Sequence, residues 1–192
     1  MRKLIMKMSL SLDGFVAGPN GEADWIFKSS DEKSLSWSAG LAWEAGVIIM
    51  GRRSFEGMAP YCPTATGPFA APMNEIPKAV FTKNGFKNIL LDAEQSTAVI
   101  SWKEPRIFVG DLADGIRTLK SETGKPIVAI GGAEFMRNLI ATGLIDEYHF
   151  ATHPTVLGAG LPIFNGISGP LDLKLVEVKA FPKGIIARTY VA

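Results

Sequence analysis

Two adjacent arginines, Arg52 and Arg53, follow directly on an apolar run, Val47 to Met50, and a glycine, Gly51. A guanidinium is a planar, permanently charged fork that matches phosphate oxygens in pairs. The net charge is only +1, so this pair is not part of a general excess of positive charge. Ser54 adds a hydroxyl and a backbone N–H at the same place. A second corner of this kind is "IVAIGGAEFMRNL", in which an apolar strand ends on Gly131 and Gly132 and a helix begins at Ala133. Free N–H groups and the positive end of a helix dipole favour an anion there, and glycine admits close approach. Glu134 suits the dipole but repels phosphate, so its carboxylate must turn away from any bound anion. A third corner, "VFTK", carries Thr82 and Lys83.

Each of these features also has a purely structural reading. An arginine pair can be a solvated helix start with surface ion pairs, and Gly-Gly can be a turn that needs glycine only for its backbone angles. Taken together, the donors suit a diphosphate plus a further monophosphate, which is what NADPH presents. Arginines fit a ribose 2′-phosphate, whereas NAD selection generally uses a carboxylate. No G-x-G-x-x-G occurs, so the fold that positions them is not the dinucleotide-binding fold with that fingerprint.

The elements that must position these corners read as follows. "LIMKMSLSL" is a first strand, with Leu4, Met6, Met8 and Leu10 on one face and Lys7 interrupting the apolar stretch. "DGFVAGPNGEADW" is a loop rich in turn residues. Ser29 and Glu32 resemble a capping box for a helix whose stripe is Leu35, Ala39, Ala42 and Trp43, with Gly46 as its stop. "VIIM", "KAVFT", "RIFVG" and "IVAIGG" are continuously apolar runs, as expected of strands covered on both faces. Between the last two, Leu112, Ile116 and Leu119 mark a helix after Asp111. Strands alternating with amphipathic helices predict a largely parallel α/β sheet. The later runs "LKLVEVKAF" and "IIARTYV", joined by "FPKG", predict an antiparallel hairpin at one edge.

At 192 residues and 47% hydrophobic, the chain fits one domain spanning residues 1–192. Charged residues make up 20% and nearly balance, which argues against a nucleic-acid partner and long disorder. No apolar run approaches the ~20 residues that cross a bilayer. Lys7 and Asp13 also break the N-terminal stretch that would otherwise resemble a signal peptide. The single cysteine, Cys62, forms no internal disulfide, and a cytoplasmic location is expected. His149 and His153 are four apart, but in a strand-like stretch that offset spans about 13 Å. They read as satisfied structural histidines, and no metal is expected.

The stretches "SLDGFVAGPNGEADW", "MGRRSFEGM", "AVFTK" and "IGGAEFMRNLIATGLIDEYHFATHPTVLGAGLPIF" together resemble the dihydrofolate-reductase-like family. The closer likeness is to its branch related to the reductase domain of bacterial riboflavin biosynthesis. The resemblance covers nearly the whole chain. It implies an α/β three-layer sandwich with a central, mostly parallel sheet of about eight strands and a C-terminal antiparallel hairpin. It also implies NADPH as hydride donor to a small heterocyclic, carbonyl or imine metabolite, and a homodimer. Carried over by motif, Gly51, Arg52, Arg53 and Ser54 would hold the adenosine-side phosphates. Thr82 and Lys83 would line the 2′-phosphate end, and Gly131, Gly132, Ala133, Glu134 and Phe135 would cradle the pyrophosphate. Val16 and Ala17 would approach the nicotinamide, and Trp25 would border the substrate.

Hydride transfer needs an electrophilic carbon held against the nicotinamide, water kept out and often an acid nearby. Gly14, Gly18 and Gly21 would let the loop from Asp13 to Trp25 close over the site; an ordinary surface loop is the other reading. Asp13 is a candidate acid, although an Asp-Gly pair also suits a turn. The folate-reducing branch carries a carboxylate inside its first helix, whereas here "DEKSLSWSAGLAWEAG" has acids only at its ends. That counts against dihydrofolate as substrate. A 5-amino-6-(5-phosphoribosylamino)uracil reductase is a related possibility, and a non-catalytic nucleotide- or pterin-binding module is the alternative. The zinc deaminase that often accompanies the riboflavin reductase lacks its ligands here.

Overall fold

The computed structural model describes residues 1–85 and 100–192. Strands β1 (Leu4–Leu10), β3 (Val47–Gly51), β4 (Lys78–Thr82), β5 (Arg106–Val109), β6 (Ile127–Ala129) and β7 (Glu147–Thr152) run parallel, and β9 (Lys174–Ala180) and β10 (Ile186–Val191) complete the sheet as an antiparallel hairpin. The spatial order is β5-β4-β3-β6-β1-β7-β10-β9, and a separate ribbon pairs β2 (Phe15–Ala17) with β8 (Leu161–Pro162). The predicted eight-stranded, mostly parallel sheet with its hairpin is what forms. The "FPKG" turn closes through bonds between Phe181 and Ile185 and between Gly184 and Phe181, with Gly184 at φ 89°.

Helices cover both faces. On one side α6 (Leu112–Ser121) and α7 (Ala133–Ala141) bring Ile116, Leu119, Met136 and Leu139 against Leu4, Met6, Ile49 and Ala129. Asp111 caps α6 by accepting from Asp114 N–H. On the other side lie α1 (Trp25–Ser29), α2 (Glu32–Trp43), α3 (Arg52–Met58), α4 (Ala70–Glu75) and α5 (Ile100–Lys103). There Ala42, Phe55, Met73 and Trp102 pack on Ile5, Ile48, Met50 and Val128. Continuously apolar strands such as "VIIM" are therefore buried on both faces, as a parallel sheet requires. Lys78 is fully buried at the start of β4, and its ammonium donates to the Met73 and Ile76 carbonyls and to Ser101 Oγ. It thereby satisfies backbone groups left open at the end of α4.

The structure corrects several local expectations. Asp31, not Ser29, caps α2: its carboxylate accepts from Ser34 N–H while the Ser34 hydroxyl receives the Asp31 N–H. Trp43 is exposed, and the buried residues of α2 are Ser34, Ala39, Leu41 and Ala42. The apolar run "RIFVG" is not covered on both faces. It forms edge strand β5, with Ile107 and Val109 exposed, because period alone cannot distinguish an edge from a centre.

The loop from Asp13 to Trp25 is tied down. Gly18 N–H donates to Glu22 O, and the β2–β8 ladder binds its first part to residues 161–162. Gly14 and Gly21 have φ of 86° and 90°, so they serve as turn residues. At Gly160 an added Cβ would lie 2.3 Å from the Ala17 carbonyl oxygen. Gly160→Ala must therefore push β2 from β8, and we expect a cost of about 1–3 kcal/mol. Urea denaturation checks this: an unchanged midpoint would show that the two segments are not held at this distance.

Candidate functional site

The strands β3 and β6 are neighbours, yet the helices that follow them leave on opposite faces, α3 toward Phe55's core and α7 toward Phe135's. Such a switch point opens a crevice at the carboxyl ends of the strands. The two corners named from the sequence meet there. Gly132 N–H donates to Ser54 Oγ at 2.8 Å, and Arg53 Nη1 lies 3.3 Å from the Glu134 carboxylate. A Cβ on Gly131 would come within 3.2 Å of Ser54 Oγ, and one on Gly51 within 3.0 Å of Phe135 Cβ. Glycine at these positions lets the two corners approach closely, since a Cβ would make its neighbour give by a few tenths of an ångström. Neither Gly131 nor Gly132 has a positive φ, so the backbone-angle reading does not apply, and the space beside them is taken by Ser54.

Arg52 Nε pairs with Glu56 at 2.8 Å, and its Nη1 lies 3.5 Å from the Gly85 carbonyl. That contact brings it to the third corner, where Thr82 Oγ1 reaches the same carbonyl at 3.4 Å and Lys83 is exposed. Arg53 is 91% exposed. Two guanidiniums and Lys83 thus stand at one rim, the guanidiniums in exposed ion pairs with Glu56 and Glu134 of the kind worth at most about 1 kcal/mol. Glu134 turns toward Arg53, so its carboxylate engages a guanidinium that an anion at this corner would have to take over. Guanidiniums, an ammonium and helix N–H groups at one rim are donor types that suit an anion. Gly132 N–H is already committed to Ser54, so the first turn of α7 offers the N–H groups of Ala133, Glu134 and Phe135.

Val16 and Ala17 are buried in β2, and Trp25 is buried at the start of α1, its Nε1–H 3.3 Å from the Glu22 carbonyl. Asp13 accepts from the Ser11 hydroxyl at 2.6 Å and from the Leu157 and Gly158 N–H groups at 3.2 and 2.8 Å. These bonds, Ser11's foremost, hold its carboxyl below the usual range. Fully engaged and ionised, it clamps two loops together, which is the turn reading and not the state of a proton donor.

One further polar residue interrupts the central sheet near these corners. Lys7 lies one position past the last β1–β6 pair, Met6–Ala129, level with the start of the Gly131 corner. Its Cα partner across β7 is His149, so Lys7, His149 and His153 share the face under α1 and α2. Burial lowers the Lys7 ammonium to about 8, and among the described residues it has neither a hydrogen-bond nor an ion-pair partner. The sequence signal was present as the lysine that breaks an apolar central strand.

The two histidines differ. His149 is satisfied, Nε2 on Glu147 and Nδ1 on Thr189 Oγ1. A groove of about 550 Å³ that it lines with Trp37 and Glu147 lies toward the start of β7, away from the corners. His153 departs from expectation: Nδ1 meets Ser29 Oγ at 2.7 Å, but Nε2 is buried with no partner among the described residues. Trp25 packs edge-on against its ring at 5.2 Å. Burial, with a contribution from the Lys7 charge, lowers His153 to about 4. No cluster of metal-ligating side chains occurs among the described residues, and no described helix is long and apolar enough to cross a membrane.

Known proteins with these features were found by sequence and by shape. The model of the RibD C-terminal domain family matches residues 2–187. The uncharacterized protein YyaP of Bacillus subtilis (strain 168) is 30% identical over 98% of this chain and 94% of its own. A protein of Shewanella sp. PV-4, assigned provisionally to riboflavin biosynthesis, has a TM-score of 0.76 at 20% identity, covering 98% of both chains. Dihydrofolate reductase from Enterococcus faecalis, solved with NADP(H) and RAB-propyl, has a TM-score of 0.61 at 15% identity, covering 98% of this chain and 95% of that one. The fold is therefore dihydrofolate-reductase-like.

The His153 environment has a measurable consequence for stability. A base held at about 4 in the fold and near 6.5 when unfolded takes up its proton first in the unfolded chain. Its contribution is complete above pH 6.5 and is lost as pH falls from 6.5 toward 4. Carboxylates held low, such as Asp13 and Asp31, act at lower pH. Urea midpoints should therefore fall between pH 6.5 and 4.5 in the wild type and fall less in His153→Phe. Equal slopes in the two proteins would contradict this.

Proposed function

The chain belongs to the RibD C-terminal domain family, and on that premise we propose that it is an NADPH-dependent reductase of a small heterocyclic, carbonyl or imine metabolite. The observation that carries the reading is the junction of two strand-to-helix corners by the Ser54–Gly132 bond, with Arg52, Arg53 and Lys83 at its mouth. This donor set fits a cofactor with one diphosphate and one monophosphate. Arg52 and Arg53 exchange weak surface pairs with Glu56 and Glu134 for phosphate oxygens. Thr82 and Lys83 take the 2′-phosphate end, and the first turn of α7 takes the diphosphate. Val16 and Ala17 border the nicotinamide.

When bound, the nicotinamide supplies a hydride to an electrophilic carbon of the substrate. The chain's own residues shape and dry the site: Trp25 walls it, and the Asp13 clamp with the β2–β8 ribbon holds the loop shut against water. Lys7 is the group on this face able to release a proton. With its pKa lowered to about 8 by burial, it is protonated at neutral pH yet closer to neutrality than a free lysine, as general acid catalysis favours. The interior of α2 carries no carboxylate, which disfavours dihydrofolate. It also keeps a second reading in play, a nucleotide- or pterin-binding module without turnover. For the assembly, exposed Leu175, Val176 and Val178 on edge strand β9 support pairing with a second copy of the chain.

NADPH should quench tryptophan fluorescence far more strongly than NADH. Arg52→Ala with Arg53→Ala should weaken NADPH by about 3 kcal/mol, roughly 100-fold, and abolish the preference. No quench up to millimolar NADPH would remove the reductase reading. Binding without NADPH oxidation across quinones, pterins and riboflavin precursors would select the binding module.

A further inference from the structure

The groove of about 550 Å³ beside His149 lies toward the start of β7, and nothing in the reductase reading uses it. One wall is a stripe of α2 in which Trp37, Gly40, Leu41 and Glu44 share a face. The middle of that wall is bare. Gly40 stands inside a 12-residue helix, where glycine is unfavourable, and a Cβ added to it would meet nothing within 4 Å. Packing therefore does not call for glycine there; its effect is to open a slot between Trp37 and Glu44, about 10 Å apart along the helix axis. Across the slot, β9 carries a bulge. Glu177 opposes Thr189 and Leu175 opposes Tyr190, so Val176 is the extra residue, and it lines the groove. The Trp37 ring is held from behind by His149 at 6.2 Å and Phe181 at 6.0 Å. With Leu41 and Val176 it gives the groove an apolar body.

The charges around this body do not balance. Glu147 bonds Lys3 and His149, and Glu177 pairs with Lys179 at 3.0 Å. Glu44 has no hydrogen-bond or ion-pair partner among the described residues. Lys3 is raised first by Glu147, and Glu44 is the least of its influences. Glu44 is also the C-cap of α2, whose last turn holds no basic residue. A carboxylate at the negative end of a helix dipole is repelled by it, so this end of the groove carries a charge that a cation would relieve. We propose that the groove binds a small organic cation, an ammonium or amidinium on a flat apolar body, with its head at Glu44 and its body between Trp37 and Val176. An anion of the same shape is repelled by the carboxylates, and a neutral one loses the attraction of the head. This site stands or falls independently of the cofactor reading.

Phenethylammonium, 2-phenylethanol and 3-phenylpropanoate share a phenylalkyl body and differ in charge. Titration calorimetry of the full protein reads their affinities, and ¹⁵N NMR of the four tryptophan indoles, with Trp37→Phe to assign Trp37, reads where they sit. Phenethylammonium should shift the Trp37 indole resonance, the alcohol should bind about 5-fold more weakly or worse, and the propanoate should not bind. Glu44→Gln should weaken the amine about 5-fold and remove its advantage over the alcohol. Gly40→Leu fills the slot with a better helix former, so it should abolish binding while its urea midpoint holds or rises. If that variant is destabilised, Gly40→Ala should show the same loss in smaller measure with a raised midpoint. Equal binding of amine and alcohol overturns the proposal, as does wild-type affinity in both Gly40 variants or no Trp37 response at high millimolar amine. A dimer in light scattering that Gly40→Leu converts to monomer overturns it too, because a second copy then fills the groove.

Discussion

A single 2.8 Å hydrogen bond, from the Gly132 amide to the Ser54 hydroxyl, joins the carboxyl ends of two strands whose helices depart to opposite faces. The rest of the site follows from that junction. It leaves little room for a Cβ at 131, where one would lie 3.2 Å from Ser54 Oγ, or at 51, where one would lie 3.0 Å from Phe135 Cβ. It also fixes where α3 and α7 begin relative to one another, and hence where Arg53 meets Glu134 and how Arg52 reaches the Gly85 carbonyl. Charge is concentrated at the rim by backbone geometry, with the chain as a whole almost neutral.

The polar groups on the α1–α2 face obey a second constraint. A parallel sheet covered on both sides has no place for an unpaired ammonium or an orphaned imidazole nitrogen unless they are kept for a ligand. Lys7 and His153 violate the apolar pattern in the middle of β1 and just beyond β7. His149, the Cα partner of Lys7 across β7, violates nothing because Glu147 and Thr189 satisfy it.

Much of this was legible in the sequence. Apolar β-branched runs and helical spacing gave the parallel sheet, and the resemblance gave its topology. The Arg52–Arg53 and Gly131–Gly132 corners could be named because strand ends, glycines and guanidiniums are local signals. Other features could not be read because they depend on distant partners. Asp13 looked like an acid or a turn residue until Leu157 and Gly158, more than 140 positions on, were seen to donate to it. The loop's glycines suggested motion, but the ladder to residues 161–162 ties it down. Edge exposure of "RIFVG" follows from strand order, which composition does not contain. Lys7 stood in view as an interruption, and only its register beside His149 and the Gly131 corner gave it meaning.

The central claim is that residues 52 and 53, gathered by the Ser54–Gly132 junction, hold the cofactor's phosphates. Phosphorus NMR of NADPH titrated with the protein tests it most directly, because the 2′-phosphate is a monoester that ionises near pH 6 when free. Within the complex its resonance should shift and its pKa should drop, and both changes should be much smaller in the double alanine variant, where Thr82 and Lys83 remain, and vanish when Lys83→Ala is added. A 2′-phosphate that titrates as in free solution while the nicotinamide is demonstrably bound would contradict the account.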